Sequence, residues 1–425
     1  MKLYLINSFL IFLVLASTSN VSFGQPTSPT DYFRSKNSGS WNSITSWESS
    51  SNGTTNWVPS TLVPSELSNT VTITAGKTIT INANAIVDQV EIATGGILEL
   101  ATGPSTLLTV NDGIGNDIIV QNGGIFKHNI TGTNSTLPLF SGAASLEVQS
   151  GGILDVANNN GSPSNYAITT TVTGSNIIWA DNSVFNWNNT SSPSSGATYF
   201  PGSTAIPIFR FSSASSIGGT TGTVINGMLE ANANVSFLSS GTKTIRNGIM
   251  GTGTVAATAV GVGQFIINGT TAKLGGGVLV LPDAGLMIST GTEVTLVSNK
   301  TINKVGTASS AVNLSGTLIA ADYILDGTST IQINGTVKTT NANGLSGGTN
   351  TTFANSFNIS SFGSSSLVEY NRSGDQTVTP LSYANLNIYG SGYKKVIGTS
   401  DIGITGTLDI APTNTFTLNG TNHLN

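Results

Sequence analysis

The chain of 425 residues contains no cysteine. This absence excludes disulfide cross-links, thiol catalysis and zinc sites built on cysteine, and it suits an oxidising or extracellular environment. Histidine is also scarce, with two residues in the whole chain. Histidine-based metal binding or acid–base catalysis would need more of them.

Charged residues are few as well. They make up 8% of the chain, against about a quarter in an average protein, and the net charge is −5. The Lys and Arg residues are scattered and form no basic run, so the composition argues against nucleic-acid binding. In stacked β-strands, like charges would lie about 4.8 Å apart and repel, whereas hydroxyls and amides can form hydrogen-bonded ladders. The low charge therefore favours a stacked β-structure.

Only one long apolar run occurs. It extends from Leu3 to Ala16, after Lys2, and small residues follow it before Gln25. The run is shorter than the roughly 20 residues that span a bilayer. We therefore predict a secretory signal peptide over residues 1–24, no membrane span, and a location outside the cell or on its outer surface.

The most informative feature is a short pattern that recurs at a 28-residue period. Its three copies are Gly95-Gly96-Ile97-Leu98-Glu99-Leu100, Gly123-Gly124-Ile125-Phe126-Lys127-His128 and Gly151-Gly152-Ile153-Leu154-Asp155-Val156. Alternating apolar residues precede each Gly pair, so the unit is a strand, a sharp turn and a second strand. Such a unit buries its apolar face by stacking on its neighbours, which predicts an all-β solenoid, a parallel β-helix with irregular coil lengths. Coils of about 20 to 28 residues would number roughly 14 to 20 and form a rod of about 70 to 95 Å.

The rest of the chain divides around this regular part. Residues 25–68 contain three of the five tryptophans and predict an aromatic cap on the first coil, with a sugar-binding aromatic platform as the alternative. Residues 69–157 are the regular coils, and residues 158–222 are loop-rich coils or an insertion. Residues 223–425 carry a shorter unit of apolar, small polar, Gly and Thr residues, and we expect these coils to continue beyond the chain end.

Two segments resemble secreted β-solenoid adhesin-like surface proteins exported by type IX secretion. The matching residues of the opening are Asp31-Tyr32-Phe33-Arg34-Ser35, Gly39-Ser40-Trp41-Asn42, Ser46-Trp47-Glu48, Trp57, Pro64 and Val71 to Ile81. The late matching residues are Val368-Glu369-Tyr370, Gly374 to Val378, Tyr383 to Ile388, Gly390-Ser391-Gly392 and Lys394. The resemblance implies a right-handed parallel β-helix on the cell surface with an adhesive role. Those proteins usually end in a sorting domain, which residues 404–425 do not resemble, so we expect a fragment whose parent is anchored through a missing C-terminal region.

Candidate sites for a metal or a sugar are few. Asp112 and Asp117 lie in a Gly-rich segment similar to the calcium-binding repeat of β-rolls, and their oxygens suit calcium, although a plain turn explains the same residues. Trp179, Asp181, Phe185 and Trp187 combine rings with a carboxylate, which is typical of a sugar site. The alternative is that the rings fill the core.

The sequence offers little for catalysis. The acidic residues are dispersed, and His128 occupies a slot that is apolar in the sister copies, so we predict that the protein is not an enzyme and that His128 is structural. We expect a surface adhesin that presents a long Ser/Thr/Asn face to polysaccharide or another cell. The alternative is a carbohydrate-active parallel β-helix, a lyase or hydrolase, for which three or more charged side chains should converge in one groove. Binding of ice through threonine ladders would need a more regular repeat.

Overall fold

A computed structural model describes most of the chain after residue 25. The described residues are 26–101, 108–130, 139–159, 176–193, 198–200, 202–218, 222–238, 240–257, 263–305, 311–419 and 423–425. The predicted signal peptide lies outside them, as does much of the loop-rich segment before Asn176. Among the described residues, strands dominate, and the one helix is a 3-10 turn at Ile44–Ser46.

Short strands of two to seven residues follow one another along the chain. The strands of the first half are β1 (Tyr32–Ser35), β2 (Gly39–Ser40), β3 (Trp47–Ser50), β4 (Val58–Pro59), β5 (Val71–Ile73), β6 (Thr78–Ile81), β7 (Ala85–Val87), β8 (Val90–Ile92), β9 (Ile97–Ala101), β10 (Leu108–Val110), β11 (Ile118–Val120), β12 (Ile125–Ile130), β13 (Leu139–Phe140), β14 (Ser145–Val148), β15 (Ile153–Asn159), β16 (Asn176–Trp179), β17 (Val184–Trp187), β18 (Thr198–Tyr199), β19 (Ile208–Phe211), β20 (Ser215–Ile217), β21 (Thr223–Ile225) and β22 (Met228–Ala231). Those of the second half are β23 (Val235–Phe237), β24 (Lys243–Ile245), β25 (Gly248–Met250), β26 (Thr254–Ala257), β27 (Phe265–Ile267), β28 (Thr271–Leu274), β29 (Val278–Leu281), β30 (Leu286–Ile288), β31 (Glu293–Leu296), β32 (Lys300–Lys304), β33 (Ala311–Leu314), β34 (Thr317–Ala321), β35 (Leu325–Asp326), β36 (Thr330–Ile333), β37 (Thr336–Thr339), β38 (Asn358–Phe362), β39 (Leu367–Tyr370), β40 (Gln376–Val378), β41 (Ser382–Tyr383), β42 (Asn385–Ile388), β43 (Gly392–Val396), β44 (Gly403–Ile404), β45 (Leu408–Ile410) and β46 (Asn414–Thr417).

One sheet runs the length of the described chain. This long sheet has 16 strands in the order β2, β6, β9, β12, β15, β17, β19, β22, β25, β28, β31, β34, β37, β39, β42 and β45. Shorter sheets form the other sides of the coils, and apart from β1, β3 and β4 the strand pairs are parallel. This confirms the predicted parallel β-helix. Fifteen steps of about 4.8 Å give the long sheet a length of about 70 Å, and the right-handed sense of the coil stays a prediction.

The 28-residue period corresponds to one coil. Leu98 pairs with Phe126, and Phe126 pairs with Leu154, so the three copies stack in register. Later coils are shorter, since Leu229 pairs with Ile249. The predicted irregularity of coil length is therefore present, and parallel pairing continues through it.

Each Gly pair meets two separate requirements of the turn. Gly95, Gly123 and Gly151 have φ of 76°, 73° and 77°, a conformation that favours glycine. The second glycine of each pair lies against the preceding coil: a Cβ on Gly124 would be 2.5 Å from the carbonyl oxygen of Ile92. The turns also stack, because the N–H of Gly95 donates to the carbonyl oxygen of Gly123.

The Trp-rich segment covers the first parallel strand. β3 pairs antiparallel with β1 on the edge opposite β5, so β1 has no open edge. Trp41 and Trp47 are buried and meet edge to face, with ring centroids 5.0 Å apart. Trp57 lies beneath the Arg34 guanidinium at 4.1 Å. Two of the three rings therefore extend the hydrophobic core and form no exposed platform.

His128 lies inside the regular coils. It pairs with Leu100 on one side and Val156 on the other, and 1% of its surface is exposed. The apolar slot of the repeat is thus an inward position in all three copies. The imidazole replaces an aliphatic side chain in the core of the rod.

The buried His128 predicts a pH-dependent stability. Burial lowers the pKa of His128 from 6.5 to about 4, so the folded chain holds the neutral imidazole, whereas the unfolded chain binds a proton near pH 6.5. Above pH 6.5 neither state binds this proton, so the free energy of unfolding is at its full value with respect to His128. As the pH falls from 6.5 toward 4, proton binding by the unfolded chain lowers the free energy of unfolding by up to about 3 kcal/mol. Urea unfolding at a series of pH values measures this loss. His128→Leu should flatten the profile in that window, and an unchanged profile in the variant would contradict the prediction.

Candidate functional site

The three rings of the predicted sugar site lie in or against the core. Phe185 and Trp187 are inward residues of β17, with 1% and 0% of their surface exposed. Trp179 ends β16 in another sheet and is half-buried. Its ring meets that of Phe200 edge to face at 5.0 Å, and the indole N–H of Trp187 donates to the carbonyl oxygen of Ser191 at 2.9 Å.

These rings belong to a larger aromatic cluster. Its members are Trp179, Phe185, Trp187, Tyr199, Phe200, Phe209 and Phe211. The cluster forms because Phe185 pairs with Phe209 and Trp187 with Phe211, so that inward rings of consecutive coils stack. The structure does not bring the rings of the predicted site to a common surface with Asp181.

Asp181 lies in the exposed turn between β16 and β17. Its Oδ1 accepts a hydrogen bond from the backbone N–H of Ile206 at 2.7 Å, which ties the turn to the next coil. The neighbouring Asn182 has φ of 60° and donates its own N–H to the carbonyl oxygen of Ile206. The turn is therefore fixed on two sides, and it forms one end of a cleft.

This Asp181 cleft crosses consecutive coils on the outer side of the long sheet. It has a volume of about 290 Å³, and its charged lining residues are Asp181, Lys273 and Glu293. Thr271 pairs with Glu293 and Lys273 with Thr295, so β28 and β31 contribute four outward polar side chains to one wall. The two carboxylates and the amine thus belong to one concave surface.

The opposite wall of the cleft is mostly apolar. Ile206 and Met228 line it, and Val297 lies at the end of β31 on the side of Glu293 and Thr295. Gly248 holds the outward position of β25, where it pairs with Lys273 and has φ of 102°. A Cβ there would be 1.9 Å from the carbonyl oxygen of Lys273, so no side chain can fill this gap.

Asn247 is the one deeply buried polar side chain of the cleft lining. It is 6% exposed, and its Nδ2 donates to the carbonyl oxygen of Thr271 at 2.9 Å. Its Oδ1 is buried and has no hydrogen-bond partner in the part of the chain that the structure describes. A buried amide oxygen without a donor costs about 1 to 3 kcal/mol.

Three residues of the cleft were not among the predicted site residues. Asn247, Lys273 and Glu293 are far from Asp181 along the chain, and no motif links them. The available signal was the alternation of polar and apolar residues around Lys273 and Glu293, which is typical of strands with both residues on the outward face. Their neighbourhood depends on coil register, which the varied spacing of the late repeats leaves open.

Two columns of side chains lead along the long sheet toward the cleft. The isoleucines that follow each Gly pair face outward and stack in register, and the column ends at Met228 in the cleft wall. Its members are Ile97, Ile125, Ile153, Val184, Ile208 and Met228. On this part of the sheet the outward residues are therefore aliphatic and charged, whereas a Ser/Thr/Asn face was expected.

The adjacent column carries charges of alternating sign. Glu99 pairs with the amine of Lys127 at 3.2 Å, and Asp155 accepts a hydrogen bond from Asn186 at 2.7 Å. Arg210 and Glu230 continue the column with an ion pair of 3.0 Å. The position that varies between the repeat copies, occupied by Glu99, Lys127 and Asp155, thus changes the sign of its charge from one coil to the next. Like charges about 4.8 Å apart are avoided in this way.

The threonine pairs of the first coils do not extend into a ladder. Thr72 pairs with Glu91, and Thr80 pairs with Glu99. The next coil therefore places carboxylates where a flat ice-binding face would repeat threonine.

The two aspartates of the predicted calcium site bind backbone groups. Asp117 is fully buried and accepts hydrogen bonds from the N–H groups of Gly113 and Ser145, both at 2.7 Å. Asp112 accepts one from Ala143 at 3.1 Å. Asp88 lies beside Asp117, and its pKa is raised first by burial and then by the hydrogen bond and charge of Asp117. Among the described residues no group of three or more acidic or histidine side chains could hold a metal, and calcium binding stays a prediction.

Comparison with known proteins gave no match. No family model, no curated protein and no solved structure matches this chain. The resemblance to type IX adhesins therefore stays a prediction. Within the described ranges, no helix has the length and apolarity needed to cross a membrane.

Proposed function

We propose that this protein is an extracellular or cell-surface adhesin-like scaffold that binds carbohydrate through the Asp181 cleft. The observation that carries the proposal is the cleft itself, which outward residues of consecutive coils build on the long sheet. Ligand sites are typically concave and mostly apolar, with a few polar groups that orient the ligand. The cleft has this composition.

The shape of the protein supports an adhesive role. The long sheet extends about 70 Å, and an aliphatic column on its outer side ends at Met228 in the cleft. Carbohydrate chains present both CH faces and hydroxyls. The aliphatic side of the cleft can contact the CH faces of such a chain, and Lys273 and Glu293 can bind its hydroxyls.

A second candidate function is a carbohydrate-active enzyme of the parallel β-helix type. The observation that favours it is the presence of Asp181, Lys273 and Glu293 in one cleft. Convergence of three charged side chains is the feature expected of a lyase or hydrolase. Paired carboxylates cleave glycosidic bonds when one acts as acid and the other as base or nucleophile.

Filling the cleft is expected to abolish carbohydrate binding. Thr295→Trp places a large ring in the cleft, whereas Thr336→Trp places the same ring at an outward position of β37, outside the cleft. Binding to a panel of immobilised polysaccharides should fall at least about 10-fold in Thr295→Trp and stay unchanged in Thr336→Trp. Equal binding by both variants would contradict the proposed site.

The same panel separates the two candidate functions. An adhesin retains the polysaccharide without shortening it, whereas a lyase or hydrolase releases new reducing ends. A reducing-end assay on the bound polysaccharides measures this difference. Release of products by the wild-type protein but not by Thr295→Trp would replace the adhesin with the enzyme.

A further inference from the structure

The polar groups of the Asp181 cleft are unequal in donors and acceptors. Asp181 and Glu293 are carboxylates that only accept hydrogen bonds, and among the described lining residues Lys273 is the one cationic donor. Oδ1 of Asp181 already accepts the N–H of Ile206, whereas its second oxygen accepts no backbone N–H of the described residues. The cleft therefore offers more acceptors than donors.

The buried amide of Asn247 offers a bound ligand no donor to balance these acceptors. Its Nδ2 is held by the carbonyl oxygen of Thr271, so the donor half of the amide is occupied. Its Oδ1 faces no donor among the described residues. Because Oδ1 is buried as well, the hydroxyl donors of a bound sugar would meet the carboxylates of Asp181 and Glu293.

The net charge of the cleft lining also favours a neutral ligand. Lys273 and Glu293 lie on the paired strands β28 and β31 and share the outward face. Glu293 pairs with Thr271, two residues before Lys273, so the two long side chains are diagonal neighbours that can reach each other. Glu293 therefore offsets the charge of Lys273, and Asp181 leaves a net charge of −1. An anionic ligand would meet this negative charge in a partly enclosed space, where repulsion is stronger than in open water.

We propose that the Asp181 cleft selects neutral, hydroxyl-rich sugar units and rejects uronic acids of the same stereochemistry. This inference rests on the proposed function and specifies its ligand class. Replacing a sugar CH₂OH by a carboxylate removes a donor and adds a negative charge. Both changes are unfavourable in a cleft rich in acceptors.

The test uses matched oligosaccharides. Gluco-, galacto- and manno-oligosaccharides are arrayed beside their C6-oxidised uronate counterparts, and binding of the wild-type protein is measured at one ionic strength. At least one neutral series should bind about 10-fold more tightly than its uronate counterpart. Equal or tighter binding of the uronates would overturn the inference.

A charge-reversal variant gives a result that misfolding cannot imitate. Glu293→Lys changes the net charge of the lining from −1 to +1, and it should raise uronate binding about 10-fold while neutral binding falls. Glu369→Lys, on β39 of the same sheet and outside the cleft, is the matched control and should leave both unchanged. No gain in Glu293→Lys, or an equal gain in the control, would overturn the inference.

Failure of the inference and failure of the proposed function can be told apart. If uronates bind best and Thr295→Trp blocks them, the cleft is a carbohydrate site and only the ligand class is wrong. If no oligosaccharide in either series binds, both proposals fail.

Discussion

Replacing Gly124 by alanine is expected to destabilise the regular coils by about 3 kcal/mol. The Cβ would lie 2.5 Å from the carbonyl oxygen of Ile92 and 3.1 Å from those of Ala93 and Gln121. All three contacts are with backbone, so no flexible side chain can move aside. The coils would have to separate at this turn, where the N–H of Gly124 and its stacked neighbours are hydrogen-bonded.

A matched control isolates the steric effect. Gly348→Ala places its Cβ in ordinary contact, 3.4 Å from the Cγ2 of Thr351, and should cost under about 1 kcal/mol. Repeat proteins need not unfold in one step, so amide hydrogen exchange should accompany urea unfolding. Faster exchange confined to β9, β12 and β15 in Gly124→Ala is the expected result. Exchange at the wild-type rate in these strands of Gly124→Ala would contradict the expected clash between the new Cβ and the backbone of the preceding coil.

Replacing Trp187 by alanine is expected to cost about 3 to 5 kcal/mol. The ring is fully buried, tilts against Phe185 with centroids 6.3 Å apart, and binds the carbonyl oxygen of Ser191 through its indole N–H. Its removal leaves a cavity in the aromatic cluster and takes away one of two hydrogen bonds to the Ser191 carbonyl oxygen, the other being donated by the Ser215 hydroxyl. The loss of unfolding free energy in urea measures this cost.

The comparison with Trp57 separates a core role from a binding role. Trp57 is partly exposed, and its main contact is the Arg34 guanidinium, so Trp57→Ala should cost about 1 kcal/mol or less. Carbohydrate binding per folded molecule should be unchanged in Trp187→Ala, because the ring does not line the Asp181 cleft. Normal stability and lost carbohydrate binding in Trp187→Ala would show that Trp187 contacts the ligand.

Much of the architecture was predictable because its signals are local. Alternation of apolar and polar residues has the period of a strand, and paired glycines mark a sharp turn that can adopt positive φ. The 28-residue spacing then predicted which residues stack, and Leu98, Phe126 and Leu154 do so. The apolar slot held by His128 was likewise predicted to be structural and is buried.

The outward face was harder to predict, because residues that are neighbours on it are far apart in the chain. The isoleucine after each Gly pair is constant, as a packing residue would be, yet Ile97 and its counterparts face outward. Glu99, Lys127 and Asp155 looked like free variation until their column showed alternating charges. For the rings near Trp179, composition favoured the core but left a sugar site open, and the pairing of β17 with β19 placed Phe185 and Trp187 inside.

By itself the sequence determined the fold class and the in-register stacking of the regular coils, since each follows from a short period in the chain. Only the tertiary structure decided that Asp181, Asn247, Lys273 and Glu293 share one cleft. Their proximity depends on the length of every coil between them. Coil length is set by loops whose residues carry weak structural signals, so a shift of one residue in any loop would turn an outward side chain inward.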